Sequence, residues 1–251
     1  RNWMPAQRHL GMNEAKVYPE PATLLDDYEG RGTAAREQEM MIGENMWMDW
    51  DLKVVDPRDL IMPGRDSALL ATTGDANRDD VLRANDSAKG IIQFRNVFNR
   101  MTAEEKGKWL SAYASRMEKW NDIRDTVGRD ALIRWKYQQY MKDYCAVVTA
   151  LDENVGRLLD YLEAEGELDN SIIIYTSDQG FFLGEHGWFD KRFMYEECER
   201  TPMLVRYPSH IRAGSRSKAL AMNIDIAPTV LDFAGVEVPG DIQGRSLRPV
   251  L

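Results

Sequence analysis

The chain has 251 residues, of which 43% are hydrophobic and 10% aromatic, so it contains enough apolar material for a sizeable buried core. Its formal net charge of -9 argues against a general binder of nucleic acid or anionic membranes, because Lys and Arg side chains hold such partners. Apolar runs stay far below the roughly 20 residues that cross a bilayer, so no membrane span is expected.

The first part of the chain, up to about Gly90, is predicted to consist of loops and short helices. Prolines interrupt its short apolar stretches, at Pro5, Pro19, Pro21, Pro57 and Pro63. The segment from about residue 66 to residue 90 matches no motif and is expected to be an inserted surface loop.

Two helices are predicted next. Thr102 and Glu105 form a capping-box pattern, in which a hydroxyl and a carboxylate satisfy free backbone donors at a helix start. Aromatic and apolar residues follow at helical spacing, at Trp109, Tyr113, Met117 and Trp120. A second helix is predicted from near Asp130, with an apolar stripe at Val147, Leu151, Val155, Leu158 and Leu162. Gly166 can end it in a left-handed conformation.

After this helix, the spacing of apolar residues changes from a helical pattern to one typical of strands. Residues 171–176 form a β-branched run, which predicts a buried strand of a largely parallel sheet, and residues 202–208 predict a second strand between two prolines. Asp225 is predicted to cap a last helix with Pro228 in its first turn. Helices that alternate with strands indicate an α/β layer architecture.

Asp178 and Gln179 follow the first predicted strand directly, where open α/β sheets place their ligands. A carboxylate and an amide carbonyl are hard oxygen donors that suit Ca2+ or Mg2+. About four more oxygens would have to come from elsewhere, since Mg2+ takes about 6 ligands and Ca2+ about 6 to 8. The alternative is a turn capped by Asp178.

Three further residues are candidates for anion binding and proton transfer. Lys191 offers a point charge to a tetrahedral anion and Arg192 a forked contact, although each alone could be a solvated surface charge. His186 could hydrogen-bond an ester oxygen or protonate a leaving group, or it could be structural, with Glu185 orienting it. Trp188 and Phe189 could form a wall for a sugar ring or belong to the core.

The string from residue 177 to residue 192, followed by Arg200, Thr201 and Pro202, resembles the C-terminal motif region of sulfatases in the alkaline phosphatase superfamily. The resemblance extends to residues 134–137, 151–157, 223–229 and 244–247, and the opening residues 2–5 resemble the segment after a sulfate-binding motif. It implies an α/β, alkaline phosphatase-like fold with a largely parallel central sheet flanked by helices, incomplete at both ends. Residues 1–251 would be part of the catalytic domain, with 1–100 an irregular substrate-side segment and 101–251 a helix–strand core carrying the metal motif.

By this resemblance, Asp178 and Gln179 would be ligands of a divalent metal, with calcium ahead of magnesium. Gln179 departs from the usual Asn or His, but its amide oxygen can do the work of Asn, and it argues against a two-zinc phosphatase. Lys191 would contact the sulfate, His186 would lie near the sulfate or its sugar, and Arg192 would bind substrate.

The resemblance also implies a formylglycine nucleophile, made from the first residue of a Cys/Ser-x-Pro-x-Arg motif. Neither Cys145 nor Cys198 lies in such a motif, so we expect the nucleophile upstream of this chain, and a chain that is inactive alone. A bridge between the two cysteines remains open. The implied partners are a sulfated sugar, with 6-sulfated N-acetylglucosamine as an example, and a formylglycine-generating or sulfatase-maturing enzyme. The implied location is the periplasm or the cell exterior.

Two other functions remain open at this point. One is hydrolysis of phosphonate monoesters or phosphodiesters by an enzyme of the same superfamily. The other is a non-catalytic fragment or carbohydrate-binding remnant.

Overall fold

The computed structural model of the protein describes residues 2–57, Leu60 and 88–251. The chain divides into two compact units. The first unit comprises Arg1–Val155 and Phe181–Phe193, and the second comprises Gly156–Gly180 and Met194–Leu251. The predicted surface loop near residues 66–90 falls almost entirely outside the described residues.

The described helices and strands follow one another along the chain. The helices are α1 (Thr33–Glu37), α2 (Ala88–Phe98), α3 (Ala103–Ile123), α4 (Arg129–Ala164), α5 (Glu196–Glu199) and α6 (Ile226–Phe233). The strands are β1 (Ile173–Thr176), β2 (Phe182–Leu183), β3 (Phe189–Asp190) and β4 (Met203–Arg206). Short 3₁₀ turns lie at Gln7–His9, Leu168–Asn170, Glu185–Gly187, Asn223–Asp225 and Arg248–Val250. Among the residues described, none of the helices combines the length and apolar composition that crossing a membrane requires.

Helix α3 begins as predicted, with a complete capping box. The backbone N–H of Glu105 donates to the Thr102 hydroxyl at 3.2 Å, and the backbone N–H of Thr102 donates to the Glu105 carboxylate at 2.8 Å. Two orphan amides are thus satisfied together, which fixes where the helix starts. Trp109 and Trp120 are buried, so the predicted apolar face is a core face.

Helix α4 confirms the second predicted helix, and its two ends differ in burial. Leu132 and Tyr140, near its start, are fully buried, whereas Leu151 and Leu158 are 48% and 58% exposed. Gly166 lies just beyond the helix with a φ of 74°, as predicted. The apolar stripe predicted for the second half of this helix is therefore present but is not buried.

The first unit is held together by two apolar clusters. One packs α4 and the end of α3 against the irregular segment around Ile42–Val54, with Trp120, Leu132 and Phe189 among its buried members. The other packs α2 against the start of α3 through Phe94 and Trp109. The part of the predicted irregular segment around Ile42–Val54 therefore belongs to the core, because α3 and α4 present apolar faces on which it packs.

A buried ionic network also joins this segment to the helices. The Asp143 carboxylate accepts from Arg116 at 2.8 and 3.1 Å, lies 3.3 Å from the Lys53 ammonium and accepts from the Tyr113 hydroxyl at 3.2 Å. Burial lowers the pKa of Lys53, and the charge of Asp143 opposes that change. Each of these charges is tolerated in the core only because its partner is there.

In the second unit, β1 and β4 confirm the two predicted strands but pair antiparallel. Ile173 lies opposite Arg206 and Thr176 opposite Met203. The prediction of a largely parallel sheet is wrong for these strands, and β2 and β3 in the first unit are also antiparallel. Parallel neighbours need a crossover, usually a helix, but within the described residues the connection from β1 to β4 contains only the four-residue helix α5 and the β2–β3 pair.

The end of the second unit is organised around Asp225. Its carboxylate accepts from the backbone N–H of Arg245 at 2.8 Å and of Met222 at 2.9 Å. The prediction that its side chain caps α6 is therefore wrong, although Pro228 does lie in the first turn of that helix. The Thr229 hydroxyl donates to the Asp225 carbonyl at 2.6 Å and accepts from Leu247 N–H at 2.8 Å, which ties the last residues of the chain to α6.

Candidate functional site

Asp178 and Gln179 lie in a loop directly after β1, as predicted. The Ser177 hydroxyl donates to the Gln179 carbonyl at 2.8 Å, and the Asn223 amide donates to the Asp178 carbonyl at 2.8 Å. The amide of Gly180 donates to the Cys198 carbonyl at 2.7 Å. Hydrogen bonds to the backbone of Asp178, Gln179 and Gly180 thus fix the loop. The side chains of Asp178 and Gln179 are not needed to hold its conformation.

The two side chains fit the chemistry of a hard cation. Asp178 is exposed, and within the described residues the only hydrogen bond to its carboxylate is a long one of 3.5 Å from Ser177. Gln179 adds an amide oxygen one residue away. No group of three or more His, Cys, Asp or Glu side chains that could hold a metal occurs in the described part of the chain. The pair can therefore supply two ligands of a larger oxygen site but cannot hold a cation alone.

In the first unit, β2 and β3 form a small hairpin whose turn requires two glycines. Gly184 has a φ of 105°, and a Cβ there would lie 2.6 Å from a ring carbon of Tyr137. Gly187 has a φ of 69°, and a Cβ there would lie 2.8 Å from the Leu24 carbonyl oxygen. The Gly-Glu-His-Gly string is thus explained by a turn that packs tightly against neighbouring chain.

Trp188 and Phe189 are core residues. Their exposed fractions are 0% and 1%, and Trp188 stacks on Tyr28 with ring centroids 5.7 Å apart. The interpretation of these rings as a wall for a sugar is wrong, because neither reaches solvent. They anchor the hairpin that carries the charged residues.

His186 is held through its backbone and its ring. Its N–H donates to the Thr23 hydroxyl at 2.9 Å, and its carbonyl accepts from the Tyr28 hydroxyl at 2.7 Å. Its ring nitrogen Nδ1 lies 3.2 Å from an Asp26 carboxylate oxygen and 3.1 Å from a guanidinium nitrogen of Arg31. With a φ of 58°, His186 also occupies the left-handed region, which is strained for a residue with a side chain.

Glu185 does not take the orienting position that the sequence suggested for it. Its carboxylate accepts from the backbone N–H of Leu183 at 2.7 Å. Asp26 and Arg31 contact the His186 ring instead. Asp26 and Arg31 lie in no periodic pattern or motif of the sequence, so nothing in the sequence distinguished them from ordinary turn residues.

Lys191 lies between two residues with left-handed backbone, Asp190 at a φ of 72° and Arg192 at a φ of 118°. The Arg192 guanidinium pairs with the Asp190 carboxylate at 2.8 Å; the Arg192 side chain is 59% exposed, and that of Asp190 is 8% exposed. Lys191 is half-buried, and no hydrogen bond or ion pair of its ammonium occurs among the described residues. The left-handed backbone of Asp190 and Arg192 is strained for residues with a side chain. Backbone strain of this kind costs about 1–3 kcal/mol per residue and is concentrated at functional sites.

The five predicted site residues are divided between the two units. His186, Lys191 and Arg192 belong to the first unit, where the β2–β3 hairpin and the loop after it carry them. Asp178 and Gln179 belong to the second unit. Each group is thus defined by the local structure of its own unit.

A cavity of about 680 Å³ lies in the first unit, with lining that does not favour sulfate. Its charged lining residues are Asp26, Asp27, Glu44, Asp130 and Arg129. Glu44 and Arg129 form an ion pair, so the excess charge of the lining is negative. A sulfate ester would be repelled there, and in this unit Lys191 and Arg192 are better placed to attract it.

Comparison with known proteins shows which proteins the chain is similar to. Residues 184–251 match the family model for N-sulphoglucosamine sulphohydrolase, C-terminal. All 251 residues are 57% identical to an N-acetylglucosamine-6-O-sulfatase of Bacteroides thetaiotaomicron, of which they cover 40%. Over 104 residues, or 41% of the chain, it is 42% identical to the human N-acetylglucosamine-6-sulfatase, of which this covers 19%.

A solved structure agrees with this result. It shows a protein in complex with its substrate D-glucosamine-2-N,6-O-disulfate, and it superposes on the whole chain with a TM-score of 0.84 at 55% identity, covering 45% of that protein. The chain is thus similar to sulfatases over its whole length, and the predicted α/β, alkaline phosphatase-like fold class is confirmed. The chain spans less than half the length of these relatives.

Proposed function

We propose that this protein is a sulfuric ester hydrolase that removes the 6-O-sulfate from a sulfated glucosamine unit of a sugar or glycan. The observation that carries the proposal is the 57% identity, sustained over all 251 residues, with an N-acetylglucosamine-6-O-sulfatase. The match extends over the whole chain and so includes the segments that hold the candidate residues. Loops on a rigid scaffold are where binding and catalytic residues are concentrated.

Lys191, Arg192 and His186 bind the substrate in this proposal. The Lys191 ammonium meets the sulfate as a point charge, and its lack of a partner among the described residues supports this role. One guanidinium nitrogen of Arg192 pairs with the Asp190 carboxylate. The other N–H groups of the guanidinium remain as donors for substrate oxygens. His186 acts on the ester or sugar oxygen as a hydrogen-bond donor or acid.

Asp178 and Gln179 hold a divalent cation, with Ca2+ ahead of Mg2+. Their exposed carboxylate and neighbouring amide oxygen support this assignment, because both are hard donors on a loop fixed by its backbone. When bound, such a cation polarises the sulfate oxygens and offsets the charge that develops during hydrolysis.

The nucleophile in this proposal is a formylglycine. The 251 residues contain no Cys/Ser-x-Pro-x-Arg motif, so we place the nucleophile outside them. It follows that the protein requires a formylglycine-generating or sulfatase-maturing enzyme. Periplasmic or extracellular location is proposed on the same family grounds.

The test is to measure the products formed by the protein as its gene encodes it, matured and supplied with Ca2+. From D-glucosamine-2-N,6-O-disulfate, the expected product is the 2-N-sulfate, and N-acetylglucosamine-6-sulfate should also release sulfate. Release of the N-sulfate instead would contradict the 6-O assignment. Hydrolysis of a phosphodiester or phosphonate monoester with no turnover of either sulfated sugar would overturn the proposal.

A further inference from the structure

We propose that Asp26 and Arg31 are positioning residues for His186, which fix the direction of its ring. This inference rests on the proposed function, because it takes His186 to act on the substrate. All three residues lie in the first unit.

Both side chains contact the same atom of His186. The Asp26 carboxylate lies 3.2 Å and an Arg31 guanidinium nitrogen 3.1 Å from Nδ1, and the two partners form an ion pair of 2.5 Å with each other. Three groups that meet within hydrogen-bond distance leave the ring little freedom to rotate. A single contact would not restrict it in this way.

The pair can support either protonation state of the ring. When Nδ1 carries no proton, Arg31 donates to its lone pair, and the single ring proton is on Nε2. When Nδ1 is protonated, it donates to Asp26. With Nδ1 engaged in either arrangement, the ring can act on a substrate only through Nε2. That nitrogen donates when it carries a proton and accepts when the neutral ring is protonated on Nδ1.

The loop that carries the pair also holds the backbone of His186. The hydroxyl of Tyr28 donates to the His186 carbonyl, and the Arg31 guanidinium lies 5.9 Å from the centroid of the Tyr28 ring. The side chains of Asp26, His186 and Arg31 are 10%, 15% and 28% exposed, so solvent screens their interactions only partly. Main chain and ring are thus positioned by one loop.

The test compares Asp26→Asn and Arg31→Gln with the wild type, using kcat and KM for 6-O-sulfate release by the protein as its gene encodes it. We expect kcat to fall about 10- to 100-fold, as for other losses of orientation, with KM changed less than kcat. Asp27→Asn is the matched control. Asp27 lies on the same loop, but its carboxylate accepts from the backbone N–H of Glu29, so kcat should be retained.

A double-mutant cycle separates positioning from a general effect on folding. In a His186→Ala background, Asp26→Asn should cause no further loss of kcat, because its effect passes through the missing ring. An equal further loss would overturn the proposal, as would unchanged kcat in Asp26→Asn, in Arg31→Gln or in His186→Ala. These results leave the proposed 6-O-sulfate hydrolysis standing, although unchanged kcat in His186→Ala would also remove the proposed role of His186. A wild type that releases no sulfate from either sugar refutes both proposals.

Discussion

The two units of the chain are stabilised in different ways. Among the described residues, every buried hydrophobic side chain except Leu247 belongs to the first unit. The second unit instead has large apolar side chains exposed to solvent, including Tyr175, Leu204, Leu220 and Ile224. Its local order comes from hydrogen bonds around Asp225 and in the loop after β1.

This difference bears directly on the candidate site. The first unit sets His186, Lys191 and Arg192 on a hairpin anchored in a packed core, with strained backbone that the core enforces. The second unit presents Asp178 and Gln179 on a loop fixed by hydrogen bonds to its backbone. The predicted anion-binding residues of the first unit are therefore preorganised by packing, and the predicted metal ligands of the second unit by hydrogen bonding.

The largest loss of stability is expected from Asp143→Ala in the first unit. Removal of this carboxylate leaves Arg116 and Lys53 buried without their shared counter-charge, which costs about 3–5 kcal/mol. Urea unfolding of the 251-residue chain measures the effect. Lys108→Ala is the control, because its pair with Glu104 is exposed, and it should leave the midpoint unchanged. Equal midpoints for both variants would show that the network does not stabilise the unit.

A pair of leucines compares the two units directly. Leu132 is fully buried in the first unit, so Leu132→Ala should cost about 2–5 kcal/mol through lost burial and a cavity. Leu204 is 65% exposed in the second unit, so Leu204→Ala should change the free energy of unfolding by no more than about 0.5 kcal/mol. Unfolding of both variants in urea gives the comparison. A larger loss of unfolding free energy for Leu204→Ala than for Leu132→Ala would contradict the conclusion that apolar packing stabilises the first unit more than the second.

A smaller effect than at Asp143 or Leu132 is expected from Asp225→Asn in the second unit. The backbone N–H groups of Arg245 and Met222 lower the pKa of Asp225 from its ordinary value of 3.8. A lowered folded-state pKa means that the charge stabilises this unit above about pH 4, and that this stability is lost as the pH falls through the folded-state pKa. We expect the variant to lose about 1–2 kcal/mol at neutral pH and to show less acid sensitivity.

Hydrogen exchange of the Arg245 amide measures this effect locally. The amide should exchange faster in Asp225→Asn than in the wild type at pH 7, and the difference should shrink as the pH falls through the folded-state pKa. Equal protection of this amide from exchange in both proteins at pH 7 would show that the charge of Asp225 does not stabilise the second unit.

The sequence predicted the fold best where local chemistry decides it. The capping box at Thr102, the long helix ended by Gly166 and the two strands were all confirmed, because capping, periodicity and β-branched runs act over a few residues. The strand direction was predicted wrongly, because it depends on the path of the chain between β1 and β4. Burial of the stretch around Ile42–Val54 was also missed, since that depends on distant helices.

For the site, the sequence suggested candidate residues but not what surrounds them. Asp178, Gln179, His186 and Lys191 stand out because polar residues and glycines gather after a strand. Asp26, more than 150 residues before His186, could not be linked to it by any spacing rule, because only tertiary folding joins them. The assignment of Asp178 and Gln179 to a metal and of Lys191 to the sulfate remains a prediction.

The most direct test of the central claim is release of 6-O-sulfate by Asp178→Ala and Lys191→Ala in the protein as its gene encodes it, matured and supplied with Ca2+. Asp169→Ala, an exposed aspartate of the second unit, serves as the control. We predict that both site variants lose activity by about 100-fold or more, because Lys191 is proposed to contact the sulfate and Asp178 to hold the cation, while the control keeps its rate. Near-normal turnover in both site variants would contradict the account.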